Sequence, residues 1–432
     1  MMSMRNTLVL SLCMALGAVT ASAAPPGQQA AKILKAADVA GGLVVHLNCG
    51  DGKLTATLRA GDSFLVHGLD TDAANVTKAR KHIAALGLYG KVSVARFGGK
   101  NLPYADNLVQ LVVAENIGKV SMAEITRVLS PRGVAYLKQD GKWTKTLKPW
   151  PKDIDEWTHH LHDAGGNAVA NDRVVGPPRR LQWTAGPLWA RSHGYTPSVS
   201  AMVSAGGRLF YICDETLTGA GPDAVSKWRL VARDAFSGLL LWKIPVPVWG
   251  SAQFSGTPDI GGGAGSVGRF TMPPNVGKRL VAVDDRAYVT LGPRAPITAL
   301  NAATGKTLEV YKGTARADEI LCTDGKLIVS INPPVKITPP EKRKITAPAP
   351  APGKHVCAID LKTGKTAWRK GPFAPIRTTK GQDPLGRLEL AAGDGRVVLL
   401  TRKTVEALDI ESGKSLWRID RPALAASAVK RV

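Results

Sequence analysis

"VVHLNCGDGKLTATL" (residues 44–58) decides how the first part of the chain folds. A short apolar run enters a loop with glycines at Gly50 and Gly52 and leaves along a stretch suited to a helix. A run of that length closed by glycines reads as a buried strand. A glycine-rich turn between a strand and a helix is the shape of a nucleotide-binding βα loop. Outward from it, "FLVHGLD", "VSVARF", "VQLVVAEN" and "GVAYLKQ" read as further strands. "KLTATLRAG", "ANVTKARKHIAALGL" and "MAEITRVLS" read as helices between them. The alternation predicts an α/β, Rossmann-like, doubly wound parallel sheet over residues 30–145, with ligands at the carboxyl ends of its strands.

After Pro149 the pattern changes to short β-rich runs between Gly/Pro turns, and one phrase recurs. It reads "DAFSGLLLW" (234–242), "NAATGKTLE" (301–309), "DLKTGKTAW" (360–368) and "DIESGKSLW" (409–417). Asp or Asn stands four before each glycine, Ser or Thr one before it, and Trp four after it in three of the copies. The side chain of Asp or Asn caps a tight hairpin, and the glycine takes positive φ. Repeats of this size predict an all-β propeller segment over 183–432, with about four blades and an incomplete ring. Trp242, Trp368 and Trp417 are expected as buried anchors between blades. Such a segment closes its ring by further blades or by self-association.

The repeat, clearest at "CAIDLKTGKTAW" and "EALDIESGKSLW", resembles that of the pyrroloquinoline-quinone-type β-propellers over about residues 190–420. That family includes quinoprotein alcohol dehydrogenases and outer-membrane assembly scaffolds. Residues 40–138 resemble a class I S-adenosylmethionine-dependent methyltransferase, on "VVHLNCGDG", "VHGLDTDAANVTKAR", "LPYADNLVQLVVAEN" and "EITRVLSPRGVAYL". The resemblance implies S-adenosylmethionine as cofactor, with Gly50 and Gly52 approaching its methionine part and Asp70 holding its ribose hydroxyls. Three positions depart from the family pattern. Asn48 stands in place of the first glycine, Gly98 in place of the carboxylate near the adenine, and Gln110 in place of an Asp before "LVV". Together they predict weak binding of the cofactor or none. The whole arrangement resembles a family of large exported bacterial proteins.

These readings lead to a binding or scaffold protein of the cell envelope with a degenerate methyltransferase-like domain. Active methyl transfer is the first alternative, and no catalytic residue can be named for it. A quinone-dependent oxidoreductase is the second. The chain has no vicinal cysteine pair and no calcium loop of the D-x-[DN]-x-[DN]-G type, so pyrroloquinoline quinone is not expected.

Arg5, an apolar run from Thr7 to Val19 and Ala21-Ser22-Ala23 form a secretory signal over residues 1–23, which predicts export to the periplasm or envelope. No stretch is long enough for a membrane span. The net charge of +23 is spread along the chain, which favours an acidic ligand or an envelope protein without specifying nucleic acid. Cys49, Cys213, Cys322 and Cys357 are far apart and read as small buried hydrophobes. The linker over 146–182 carries "HHLHD", with His159, His160, His162 and Asp163. Its spacing fits no standard zinc site, and no metal is expected. On one strand His160 and His162 would face one side, away from His159. The group is expected to pack and hydrogen-bond.

Overall fold

The computed structural model describes residues 25–174, 176–177, 181–186, 199–216, 225–254, 275–334, 352–376 and 385–422. The export signal expected at 1–23 lies outside them, as do most of a Gly-rich stretch at 254–268 and a Pro-rich stretch at 333–353.

The α/β half contains β1 (Gly42–Leu47), β2 (Phe64–Asp70), β3 (Val92–Arg96), β4 (Val109–Ala114), β5 (Leu129–Gln139) and β6 (Lys142–Leu147). They form one sheet in the order β3-β2-β1-β4-β5-β6. The neighbours from β3 to β5 pair parallel, and β6 pairs antiparallel to β5. All six residues of β1 are buried, because helices cover both faces of a parallel sheet. α1 (Pro26–Ala37), α2 (Lys53–Thr57) and α3 (Ala73–Ala85) pack Ile33, Ala56 and Ile83 against Val44, Val66 and Val92. α4 (Met122–Val128) packs Ile125 and Val128 against Val45, Leu47 and Val112 on the opposite face. Asp72 caps α3 by accepting the Ala74 N–H, and Ser121 caps α4 by accepting that of Glu124. The sequence reading stops short of β6. "KWTKTL" is a mostly exposed edge strand with no apolar run to mark it, and its Trp143 stacks on Tyr136 with ring centroids 5.0 Å apart.

The second half contains four antiparallel sheets of four strands, each in plain chain order. The first blade is β7 (Val199–Ala205), β8 (Arg208–Asp214), β9 (Trp228–Asp234) and β10 (Leu240–Pro245). The second is β11 (Leu280–Val283), β12 (Arg286–Thr290), β13 (Ile297–Asn301) and β14 (Thr307–Tyr311). The third is β15 (Ala317–Thr323), β16 (Lys326–Ile331), β17 (Lys354–Asp360) and β18 (Thr366–Phe373). The fourth is β19 (Glu389–Gly393), β20 (Arg396–Leu400), β21 (Thr404–Asp409) and β22 (Ser415–Asp420). First strands of successive blades touch one another, so β7, β11, β15 and β19 are innermost.

The recurring phrase forms the outermost hairpin of every blade. Asp234, Asn301, Asp360 and Asp409 each accept hydrogen bonds through Oδ1 from the turn N–H and hydroxyl of the Ser or Thr three residues on. Gly238, Gly305 and Gly364 sit at φ 70° and Gly413 at φ 67°, which a side chain would strain. These glycines also receive the preceding blade. The indole of Trp242 lies where a Cβ on Gly305 would be, and its Nε1–H donates to Ala302 O at 2.9 Å. Trp368 covers Gly413 in the same way and donates to Ile410 O at 2.8 Å. In the remaining joint, where the phrase lacks Trp, Glu309 stands over Gly364.

Trp417 departs from the expectation of three buried anchors. It is 43% exposed, against 8% for Trp242 and 9% for Trp368, because no hairpin among the described residues follows it. The four described cysteines are buried and free, as small hydrophobes are. Removing a buried indole costs about 3–5 kcal/mol, whereas an exposed change stays near 0.5 kcal/mol. In urea denaturation Trp368→Ala should therefore lose several-fold more stability than Trp417→Ala. Equal losses would refute the joint described here.

Candidate functional site

In the order β3-β2-β1-β4-β5-β6 the chain reverses its direction of winding between β1 and β4. Ligands of such sheets bind outside the carboxyl ends at that point. Three sequence-predicted residues meet there. Gly50 donates its N–H to Asp70 Oδ2 at 2.9 Å, and a Cβ on Gly50 would meet no atom within 4 Å. Asp70 ends β2 and is 4% exposed. Its Oδ1 accepts the Asp72 N–H at 2.9 Å, and the Asn75 amide lies 3.3 and 3.4 Å from its two oxygens. Gly52 has a different task. A Cβ there would come within 2.7 Å of Ala79, so it lets α2 pack on α3.

Asn48 holds φ 50°, a left-handed conformation that Asn tolerates better than other side chains. Its amide donates to Asn116 O at 2.6 Å and so ties the loop after β1 to the loop after β4. A Cβ on Gly118 would come within 3.3 Å of the same amide. The residues thus fit S-adenosylmethionine only in part. Gly50 offers bare backbone and Asp70 a carboxylate with lone pairs to spare, while the Asn48 side chain stands between the two loops. Gly98 contributes no side chain, and a Cβ there would meet nothing within 4 Å.

Gln110 needs a different account from the one its sequence position suggests. Its Oε1 accepts the Leu43 N–H at 2.6 Å near the start of β1, so it lies at the amino end of the sheet and bears on packing there. His46, inside β1, is buried and bonds Thr55 Oγ1 through Nδ1 at 2.8 Å. Burial pushes its pKa down to about 4. Burial also raises the Cys49 thiol to about 12, which keeps it protonated at neutral pH.

The His-rich segment makes a strap across the propeller, a role the sequence reading did not see. One amide on the innermost strand of each blade donates to it in chain order. Ser204 N–H reaches Trp157 O at 2.7 Å and Ala282 N–H reaches Thr158 O at 3.0 Å. Cys322 N–H reaches His159 Nε2 at 3.0 Å, and Ala392 N–H reaches Ala164 O at 2.8 Å. The segment turns back on itself. His159 N–H donates to His162 O at 3.0 Å, so the extended-strand expectation for the three histidines fails. His159 and His162 are buried, and His162 Nε2 bonds Asp155 Oδ2 at 2.7 Å. His160 lines a cavity of about 250 Å³ with Lys278, Glu319 and Glu389. Among the described residues no group of three or more His, Cys, Asp or Glu is arranged to hold a metal ion.

Residues 44–133 match the family model of a methyltransferase domain. Residues 234–420 match the model described as outer membrane protein assembly factor BamB. The chain therefore carries a methyltransferase-type domain followed by a quinoprotein-like propeller repeat domain. Among solved structures it is similar to a putative S-adenosyl-L-methionine-dependent methyltransferase of Methanococcus maripaludis, at 23% identity and TM-score 0.24, over 26% of this chain and 54% of that one. It is similar to the YcgJ protein of Bacillus subtilis at 19% identity and TM-score 0.23, over 26% of this chain and 49% of that one. The chain thus spans about half the length of these two structures. No curated protein matches it. No helix among the described residues is long and apolar enough to cross a membrane.

His159 accepts through Nε2 and meets Thr158 Oγ1 through Nδ1 at 2.7 Å, which requires the neutral ring. Burial lowers its pKa from 6.5 to about 4. Above pH 6.5 neither the folded nor the unfolded ring is charged, so stability does not depend on it. Between 6.5 and about 4 the unfolded chain binds the extra proton, and stability falls with pH by at most about 1.4 kcal/mol per unit. His159→Gln should flatten the slope of urea stability against pH over that window by about one proton. An unchanged slope would show that the ring is not held neutral.

Proposed function

We propose that the protein is a binding or scaffold component of the cell envelope whose methyltransferase-type half serves as structure. The proposed units are the α/β domain at 30–145, the linker at 146–182 and the propeller segment at 183–432, behind an export signal at 1–23. The bond from Asn48 to Asn116 O at 2.6 Å carries this reading, because it occupies the switch point with the protein's own amide. Asp70 accepts the Gly50 and Asp72 N–H groups, so its carboxylate serves the closure of the loop even without a ligand. The net charge of +23 supports an acidic partner.

The second reading, active methyl transfer, is favoured by the bare backbone of Gly50 beside the buried Asp70. Titration calorimetry with S-adenosylmethionine separates the two. The scaffold reading predicts no binding tighter than about 1 mM. A dissociation constant of about 1 μM, equivalent to about −8 kcal/mol, would overturn it. Asn48→Gly keeps the left-handed turn and removes the bridging amide, so it should leave stability within about 1 kcal/mol. Any gain of cofactor binding is expected in that variant and not in the wild type.

A further inference from the structure

Three of the four outer hairpins hold an indole, and the remaining one keeps the seat without it. Trp183 lies over Gly238 and donates to Ala235 O at 2.9 Å. Trp242 donates to Ala302 O at 2.9 Å and Trp368 to Ile410 O at 2.8 Å, each carbonyl three residues before the covered glycine. The equivalent carbonyl in the third blade belongs to Leu361, three before Gly364. The backbone there is the same, because the Leu361 N–H donates to Gly325 O as the Ala302 N–H does to Asp285 O and the Ile410 N–H to Gly395 O. No donor among the described residues reaches Leu361 O. Glu309 stands over Gly364 instead, and an ionised carboxylate accepts hydrogen bonds but donates none.

The rest of an indole site is present at this joint. In the first blade Phe210, Ala232 and Trp242 lie in one cross-strand row, and the rings of Phe210 and Trp242 have centroids 5.9 Å apart. In the second blade Tyr288, Ala299 and Glu309 form the same row. The aromatic neighbour is kept where the indole is missing. Tyr288 lines a cavity of about 720 Å³ with Val283, Arg286, Cys322 and Leu361. Ala302 and Ile410, which lie under indoles, are buried, whereas Leu361 is half-buried. On β14, Leu308 and Val310 at either side of Glu309 are 49% and 42% exposed.

We propose that the joint between the second and third blades receives a tryptophan carried by a peptide segment of a partner protein, its indole entering beside Tyr288 and donating to Leu361 O. Trp183 shows that a blade strand is not needed to fill such a seat. It is carried by the segment 181–186, which is described without strand structure and also bonds the first hairpin through Gln182 to Phe236 O at 2.9 Å. Glu309 is half-buried on the outermost strand of its blade, so it clears Gly364 by turning its own side chain toward water. The entering ring satisfies a carbonyl that the carboxylate leaves bare and gains an aromatic neighbour. The inference stands on the propeller joints and goes beyond the scaffold reading. That reading is tested by cofactor titration, so the failure of one leaves the other standing.

Fluorescence anisotropy on the full chain tests the proposal, with a dye-labelled, end-blocked peptide LQWTAG copied from residues 181–186. The wild type is expected to bind it with a dissociation constant of about 0.1 mM, and the same peptide with Ala for Trp about tenfold more weakly or worse. Glu309→Trp places the chain's own indole in the seat. It should raise the melting temperature by a few degrees and weaken peptide binding by about tenfold or more. Glu309→Ala clears the carboxylate from Gly364 and should tighten binding by about threefold. A wild type that leaves the peptide free at about 2 mM overturns the proposal. Binding that ignores the loss of the peptide's Trp overturns it as well. So does binding that Glu309→Trp leaves unchanged, which would put the peptide at another joint. A Glu309→Trp chain that melts no higher than the wild type shows that the gap does not fit an indole, and it too overturns the proposal.

Discussion

Four amides, one on the innermost strand of each blade, all donate to residues 157–164. The first strand of a blade has a free edge, and an unpaired N–H buried near the propeller axis costs about as much as a lost hydrogen bond. Adjacent blades are also joined at the outer hairpins, by an indole in two joints and by Glu309 in the third, but those joints link only neighbours. The strap is the element that reaches all four sheets. Its first residue, Trp157, follows ten residues after the end of β6 at Leu147, and the two halves also meet directly. There Glu156 accepts the Gly206 N–H at 2.5 Å, and Asp285 faces both Arg132 at 3.9 Å and Arg208 at 3.0 Å.

The same economy of backbone shapes the methyltransferase-type half. Gly50, Asp70 and Asn75 form one hydrogen-bonded knot that closes the loop after β1 against the end of β2. In the proposed reading that knot is what the glycine loop is kept for. Asn48 extends it across the switch point through its bond to Asn116 O. The propeller is arranged with the hairpins outside and the strap within.

Much of this was legible from residue order. The Asp/Asn-x-x-Ser/Thr-Gly phrase specified the outer hairpins because capping and positive φ are local requirements, and the structure meets them in all four copies. The apolar runs of β1 and β4 were legible because strands covered on both faces leave near-continuous hydrophobic letters. β6 was not legible, since a polar edge strand has no such signature. The exposure of Trp417 was hidden because its phrase matches that of Trp368, and what differs is the neighbour. Gln110 misled for a related reason. Its place before "LVV" suggested a ligand end, whereas its contact with Leu43 puts it at the opposite edge. The strap was hidden most completely, because "DEWTHHLHDAGG" bonds to strands between 47 and 228 residues away, as Trp157 to Ser204 and Ala164 to Ala392 show.

The central claim is that the strap holds the four blades as one cooperative unit. Native-state hydrogen exchange at the backbone amides of Ser204, Ala282, Cys322 and Ala392 tests it most directly. The account predicts that all four exchange only through the same global opening, with one shared free energy and one shared denaturant slope. Exchange of these amides at separate, lower free energies, blade by blade, would contradict it.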